Sequence, residues 1–243
     1  MSQSAPLPKV PVLGRLLMVP VPVAEGAIAS LSEDVVAHTL HLSRYFVEDL
    51  RTARRVLRAI HPGIDIDAMQ FSVIDKHAGP DIALLKNWLS AGKDVGVMSE
   101  AGCPGIADPG AVLAAAAHEL GAPVVPLVGP SSLLLALMAS GLNGQNFCFR
   151  GYLPVKEPMR SKTLKEWEAA SVRDNQTQLF IETPYRNQVL LEVVLKTCNP
   201  RTRLCIAQNV TAPNAFVRTL TIKDWKMKPP VLGKEPAVFL ILG

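Results

Sequence analysis

Up to Ser140 this sequence alternates short apolar runs with amphipathic, helix-like segments. Residues 15–23 read as a buried strand ending in prolines. Residues 28–42 read as a helix with Ser32 at its N-cap and Val35, Val36 and Leu40 turned inward. A short strand follows over 45–48, then an amphipathic helix over Leu50–Ile60, apolar at Leu50, Val56, Leu57 and Ile60. Residues 68–74 form a weaker strand pattern, and 80–91 a helix with proline at an early position. Further strands over 94–98 and 123–128 enclose a helix over 111–120, and an apolar helix over 131–140 comes next. Parallel strands need long crossovers, and helices supply them, so this rhythm predicts a largely parallel sheet covered on both faces.

The second half has another pattern. Strand-like runs at 147–153, 178–181, 203–209, 216–222 and 238–242 share two strong helices, 161–170 and 185–197. Consecutive strands without a helix between them pair antiparallel. The expected architecture is therefore α/β throughout: a domain at 13–127 with a mostly parallel sheet, and one at 128–243 with a mixed sheet. A cleft between two such domains is a common place for a small-molecule site.

Composition narrows the function classes. Of 243 residues, 49% are hydrophobic and 19% charged, which excludes a disordered chain. Pro 20 and Gly 16 occur without a repeat period, so they mark short connections rather than a fibrous protein. Aromatics are only 5%, so stacking platforms are scarce and the core is aliphatic. Cys103, Cys148, Cys198 and Cys205 form no Cys-x-x-Cys pair, which argues against a zinc ribbon or a disulfide framework. His38 and His41 stand at helical spacing but lack a third ligand in sequence, so no metal is expected. The apolar stretch 10–29 carries Arg15, Glu25, two glycines and three prolines. It fits neither a membrane span nor a signal peptide, and a cytoplasmic protein is expected. Charge is uneven: residues 1–149 hold 10 Lys+Arg against 13 Asp+Glu, a net −3, and residues 150–243 hold 15 against 8, a net +7. A basic second half suits an anionic partner such as RNA and equally a solvated surface.

The densest punctuation is the run 99–110, SEAGCPGIADPG, between an apolar strand and a helix. That places it at the carboxyl end of a parallel sheet, where ligands of such folds bind. Its glycines let backbone approach a ligand closely, and its prolines stiffen the turn. Gly110 is followed by Ala111-Val112 rather than Lys-Ser/Thr, which excludes a P-loop, and no Gly-x-Gly-x-x-Gly follows any strand. Cys103 lies just before a helix, where a thiol's pKa falls, but its possible bases, His77 and His118, are remote in sequence. Ser131 and Ser132 follow Gly129-Pro130 without a Gly-x-Ser-x-Gly elbow, and read as N-cap and first-turn residues. Acyl transfer is disfavoured. Two clusters, Glu48-Asp49-Leu50-Arg51 and Glu182-Thr183-Pro184-Tyr185-Arg186-Asn187, each follow a strand and open a helix. Capping and a role at a cleft both explain that position.

The loop 99–110, the segment Val128-Gly129-Pro130-Ser131-Ser132, the run Phe149-Arg150-Gly151-Tyr152-Leu153-Pro154 and Glu182-Thr183-Pro184-Tyr185-Arg186 occur in the order seen in the tetrapyrrole-methylase superfamily. Within it the sequence most resembles the small-subunit rRNA ribose 2′-O-methyltransferase branch, over nearly the whole chain. The resemblance implies a two-domain α/β fold, S-adenosylmethionine held folded in the interdomain cleft, and a homodimer. It implies cofactor contacts from Glu100, Gly102, Cys103, Pro104, Gly105, Ile106, Asp108, Ser131, Ser132 and Ala237.

This chain departs from the branch at several places. It has Glu100 and Cys103 where the branch has Asp and Thr, and Leu50 where it has Thr. Tyr185 stands where the branch has His, and a Pro-rich turn at 19–24 where it has Gly-Asn. The cofactor loop survives these changes better than the substrate side, which marks a divergent paralogue.

Methyl transfer from a sulfonium is mainly a positioning task, and a hydroxyl acceptor also needs a group to take its proton. Glu48, Asp49 and Glu182 are the acids placed for that, with Arg51 and Arg186 for phosphate contacts. RNA, or the ribosomal small subunit, is the favoured acceptor. Arg150, Lys156, Arg160 and Lys162 would meet phosphates, and Tyr152, Trp167 and Tyr185 would meet bases. A tetrapyrrole or other small-molecule acceptor, and a non-catalytic cofactor-binding paralogue, are the alternatives.

Overall fold

The computed structural model describes residues 12–243. Val10 and Pro11, at the start of the apolar N-terminal stretch, lie outside them. The chain divides into two compact units. Residues 12–22 and Ile28–Pro130 make the first, and Val23–Ala27 with Ser131–Gly243 make the second.

In the first unit, strands β1 (Leu16–Met18), β2 (Arg44–Val47), β3 (Gln70–Val73), β4 (Val95–Met98) and β5 (Val124–Pro126) form a sheet of order β3-β2-β4-β1-β5. Every pairing in it is parallel. Its crossovers are helices α1 (Glu33–Leu40), α2 (Leu50–Ile60), α3 (Ile82–Ser90) and α4 (Gly110–Leu120). Side chains alternate along β1. Leu17 joins a cluster with Val35, Tyr45, Val56 and Leu57, whereas Leu16 and Met18 join Leu85, Leu89 and Leu113 on the opposite face. Central strands buried on both faces are apolar throughout, as in β1 and β4. Each fully buried Leu among them stabilises the unit by about 1.5–3 kcal/mol.

Local signals set the helix starts. Ser32, Asp49 and Asp81 accept hydrogen bonds from the amides of Val35, Thr52 and Leu84, so α3 begins at the Asp81 cap and not at Pro80. The expected helix over 28–42 is divided into a 3-10 turn, Ile28–Ser30, and α1. Leu40, expected inward, is 56% exposed, and Thr39 takes the buried position with its hydroxyl bonded to Val35 O.

The second unit holds β6 (Phe147–Tyr152), β7 (Thr177–Ile181), β8 (Arg203–Gln208), β9 (Phe216–Thr221) and β10 (Ala237–Leu242), in the order β6-β7-β10-β8-β9. Only β6 and β7 run parallel, with the other pairings antiparallel. The sheet is mixed, as its consecutive strands require. Helix α5 (Ser132–Ser140) packs Ala136 and Leu137 on one face. Helices α6 (Met159–Asp174), α7 (Asn187–Thr197) and α8 (Ile222–Met227) cover the other, with Leu164, Leu190, Val194 and Trp225 against Phe180 and Phe239. Helix α8, absent from the sequence reading, is one turn and a half capped by Thr221, and the Trp225 indole donates to Leu204 O. No helix among the described residues is long and apolar enough to cross a membrane.

Candidate functional site

The first sheet's topology decides where backbone is free to meet a ligand. Strand β2 connects outward to β3, and its neighbour β4 connects the other way to β5. Their following loops therefore leave the carboxyl edge in opposite directions, the switch point at which open α/β sheets bind ligands. Glu48 and Asp49 leave the end of β2, and the loop 99–110 leaves the end of β4.

Four strand-end segments are stitched together there. Glu48 Oε2 accepts the Glu100 amide at 3.0 Å. The turn after β1 pairs with the loop through Val21 N to Gly102 O, 2.9 Å, and Gly102 N to Val21 O, 3.1 Å. The Cys103 thiol donates to Pro130 O at 3.3 Å, which ties in the segment after β5. Gly129 packs against Pro20 so closely that a Cβ there would sit 2.2 Å from the proline ring. Within the loop, Asp108 Oδ1 accepts the amides of Gly105 (2.8 Å) and Gly110 (2.7 Å), and the Ser99 hydroxyl donates to Ala101 O. Gly102 and Gly105 adopt φ of 75° and 83°, and Ala107 does so at 64°, a conformation that costs a residue with a Cβ on the order of 1–3 kcal/mol. The loop is held in a strained shape by its own hydrogen bonds.

Several site residues thus have structural duties the sequence left open. Asp108 fastens the loop, and the spacing Gly105-x-x-Asp108-x-Gly110 was the visible signal. Asp49 caps α2, and the Thr52 amide bond holds its carboxyl below the ordinary 3.8. Cys103 is corrected: burial, with Asp108 close by, pushes its thiol up rather than down. A thiol so placed is a hydrogen-bond donor and a poor nucleophile. Arg51, Glu100 and Ile106 are exposed, whereas Gly102 and Pro104 are buried.

A second group gathers within the second unit. Because β10 runs antiparallel to both β7 and β8, its amino end meets their carboxyl ends, with Val238 opposite Ile181 and Ala237 opposite Gln208. Glu182 follows β7 with a side chain only 4% exposed, and its Oε1 accepts Arg186 Nη2 at 2.6 Å and the Thr183 amide at 2.7 Å. The turn is a 3-10 helix, Pro184–Arg186, and the Thr183 side chain makes no capping bond, contrary to the expected helix start. The loop before β10 is held by Asn187 Nδ2 to Glu235 O, 2.9 Å, and by Gln208 Nε2 to Gly233 O, 3.2 Å. Sequence reasoning missed both anchors. Ser131 precedes α5 as its N-cap residue, yet its hydroxyl makes no cap bond, so simple capping does not account for it. Ser132 opens α5 and Ala237 opens β10.

Of the basic residues expected to meet phosphates, Arg150 donates to Gln178 Oε1 and Arg160 pairs with Glu157. His38 bonds Asp34, and among the described residues no group of three or more His, Cys, Asp or Glu side chains is arranged to hold a metal ion.

The two α/β units and their ordered loops define a tetrapyrrole-methylase-type fold. The methyltransferase CobJ shares it at a TM-score of 0.62 and 18% identity, with 95% of this chain and 94% of that one covered. Uroporphyrin-III C-methyltransferase from Thermus thermophilus, crystallised with S-adenosylhomocysteine, shares it at 0.58 and 17%, over 94% and 97%. Sequence relatives are nearer. The ribosomal RNA small subunit methyltransferase I of Vibrio cholerae is 31% identical over 232 residues, covering 94% of this chain and 77% of its own length. That of Escherichia coli O157:H7 is 31% identical over 82% of this chain, and that of Mycobacterium tuberculosis 33% over 71%. The chain spans 66% and 58% of the lengths of these two. No family model matches the sequence. This chain belongs to the ribosomal RNA small subunit methyltransferase I family.

Proposed function

We propose that this protein transfers a methyl group from S-adenosylmethionine to small-subunit ribosomal RNA, at a ribose 2′-hydroxyl. The observation that carries the reading is the stitched Gly/Pro loop at the carboxyl edge of the first sheet, in a chain of this family. Its residues suit a sulfonium nucleoside: Gly102 and Gly105 at positive φ turn the chain without placing a side chain at the ligand, and the Glu48 carboxylate, one oxygen on the Glu100 amide, supplies negative charge for a cation. Residues 100, 102–106 and 108 of the first unit are assigned to the cofactor.

Bound there, S-adenosylmethionine would supply an electrophilic methyl group for the acceptor oxygen. The chain's part is to hold the donor still and to take a proton. Asp49 is committed to its helix and Glu182 to Arg186, so Glu48 is the acid best placed for the proton. Its Oε2 is anchored on the Glu100 amide, and Oε1 remains an acceptor. Arg51 and Arg186 are assigned to phosphate. A homodimer and a cytoplasmic location accompany this reading, and sedimentation of the purified protein tests the dimer.

Calorimetry should show saturable binding of S-adenosylmethionine. Gly102→Val, which forces a β-branched side chain to φ 75°, should weaken it at least about tenfold. Labelled cofactor should then deliver its methyl group to the small ribosomal subunit. Cofactor binding without transfer to RNA or the particle would refute the RNA reading. Label appearing in a tetrapyrrole would put a small molecule in its place.

A further inference from the structure

We infer that Tyr152 and Tyr185 form a stacking platform for unpaired bases of the RNA substrate, with Lys234 and Lys156 meeting the adjoining phosphates. The inference rests on the RNA reading above and adds the surface that selects a single-stranded segment.

Three rings were open to this role from sequence, and the structure separates them. Trp167 packs against the core of the second unit, its ring 5.6 Å from Phe180. Tyr152 is 56% exposed and Tyr185 78%, whereas Tyr45, Phe46, Phe180, Trp225 and Phe239 are buried. The topology brings the two exposed tyrosines to one edge. Tyr152 is the last residue of β6 and pairs with Ile181, the last of β7, and Tyr185 follows Ile181 by one short turn.

That turn is not free to wander. Glu182, nearly buried, grips both the Thr183 amide and Arg186, so it fixes the segment from which Tyr185 projects. Across it, Lys234 Nζ lies 5.4 Å from the centre of the Tyr185 ring, on a loop held by Asn187 and Gln208. A ring presented on a rigid support loses little entropy when a base stacks on it. Lys234 sits over one face of the Tyr185 ring, which leaves the other face for a base and puts an ammonium next to the phosphate of the stacked nucleotide, and Lys156 follows Tyr152 on the next loop. Rings interleaved with cations, in a half-chain of net +7, match a polyanion carrying flat bases. An apolar protein partner would leave these ammonium groups buried without partners.

The test uses small-subunit ribosomal RNA in filter binding, with thermal melting of each variant as the fold control. Tyr185→Ala and Tyr152→Ala should each weaken binding about tenfold, as loss of one stacked base does. Tyr185→Phe and Tyr152→Phe should keep wild-type affinity, because the hydroxyl has no part. The alanine variants should retain the wild-type salt dependence, whereas Lys234→Gln should lower its slope by ~0.7. Alanine variants that melt and bind like the wild type would overturn the platform, as would an alanine effect confined to the salt slope. RNA that binds through these tyrosines without being methylated would refute the enzymatic reading and leave the platform standing. A wild-type protein that binds neither the isolated RNA nor the small ribosomal subunit removes both, whereas methyl transfer to the subunit that the alanine variants leave unchanged removes the platform alone.

Discussion

Replacing Asp108 by alanine probes whether the cofactor loop is built before its ligand arrives. One carboxylate oxygen accepts two amides, from Gly105 at 2.8 Å and Gly110 at 2.7 Å, just ahead of the N-terminus of α4. Hydrogen bonds to a charged group contribute about 1.5–3 kcal/mol each, and partial exposure puts this pair near the bottom of that range, about 3 kcal/mol together. The negative charge before the helix start adds about 0.5 kcal/mol. For a chain of this size that corresponds to a fall in Tm of roughly 7–14 °C. Asp108→Asn keeps an acceptor and loses the charge, so it should lose about half as much. Ordering even one freed residue costs about 1–2 kcal/mol, so S-adenosylmethionine affinity in Asp108→Ala should drop roughly 5- to 30-fold. Differential scanning calorimetry and titration calorimetry read the two effects. Asp108→Ala that melts within about 1 °C of wild type would show that the two amide bonds do not hold the loop. Unchanged cofactor affinity in a destabilised variant would show that the loop's shape is irrelevant to binding.

Two further expectations concern titration. Cys103, its thiol pushed up by burial and by Asp108, should be alkylated by iodoacetamide at pH 8 more slowly in the native than in the unfolded protein, read by mass spectrometry of its peptide. Faster native labelling would reinstate an activated thiol. Asp49, lowered by its Thr52 bond, stabilises the fold above the unfolded carboxyl's pKa near 3.8 and loses that contribution as pH falls through the lower folded value. Wild type and Asp49→Asn should therefore differ in urea midpoint at pH 6 and converge as the pH is brought well below 3.8, and a gap that persists or widens there would contradict the sign.

Local patterning reads well where a few neighbours settle the outcome. Leu50–Ile60 is a helix because its apolar residues recur on one face and Asp49 caps it, and the structure has the same bounds. The Gly/Pro run at 99–110 announces a close-approach loop, since only glycine enters such conformations without cost. Leu40 misled because helical spacing does not say which of two adjacent stripes meets the sheet, and there Thr39 satisfied its hydroxyl internally and took the inner place. Helix α8 is six residues long, too short for periodicity, and forms around the burial of Trp225.

Chemistry at the site is less legible, because a carboxylate's role depends on which amide reaches it. Glu48 and Glu100 are 52 positions apart, and nothing in either neighbourhood announces that one accepts the other's N–H. Cys103 before a helix reads as an activated thiol until the fold half-buries it beside Asp108 and aims it at Pro130 O. Trp167, Tyr152 and Tyr185 are equivalent as letters, and packing puts the first against a core and leaves the others in water. Period, caps and punctuation act over a few residues, so element order, the parallel and mixed sheets and the place of the loop were written along the chain. Partners, burial and charge state arise between residues that folding brings together, and they entered only with the tertiary structure.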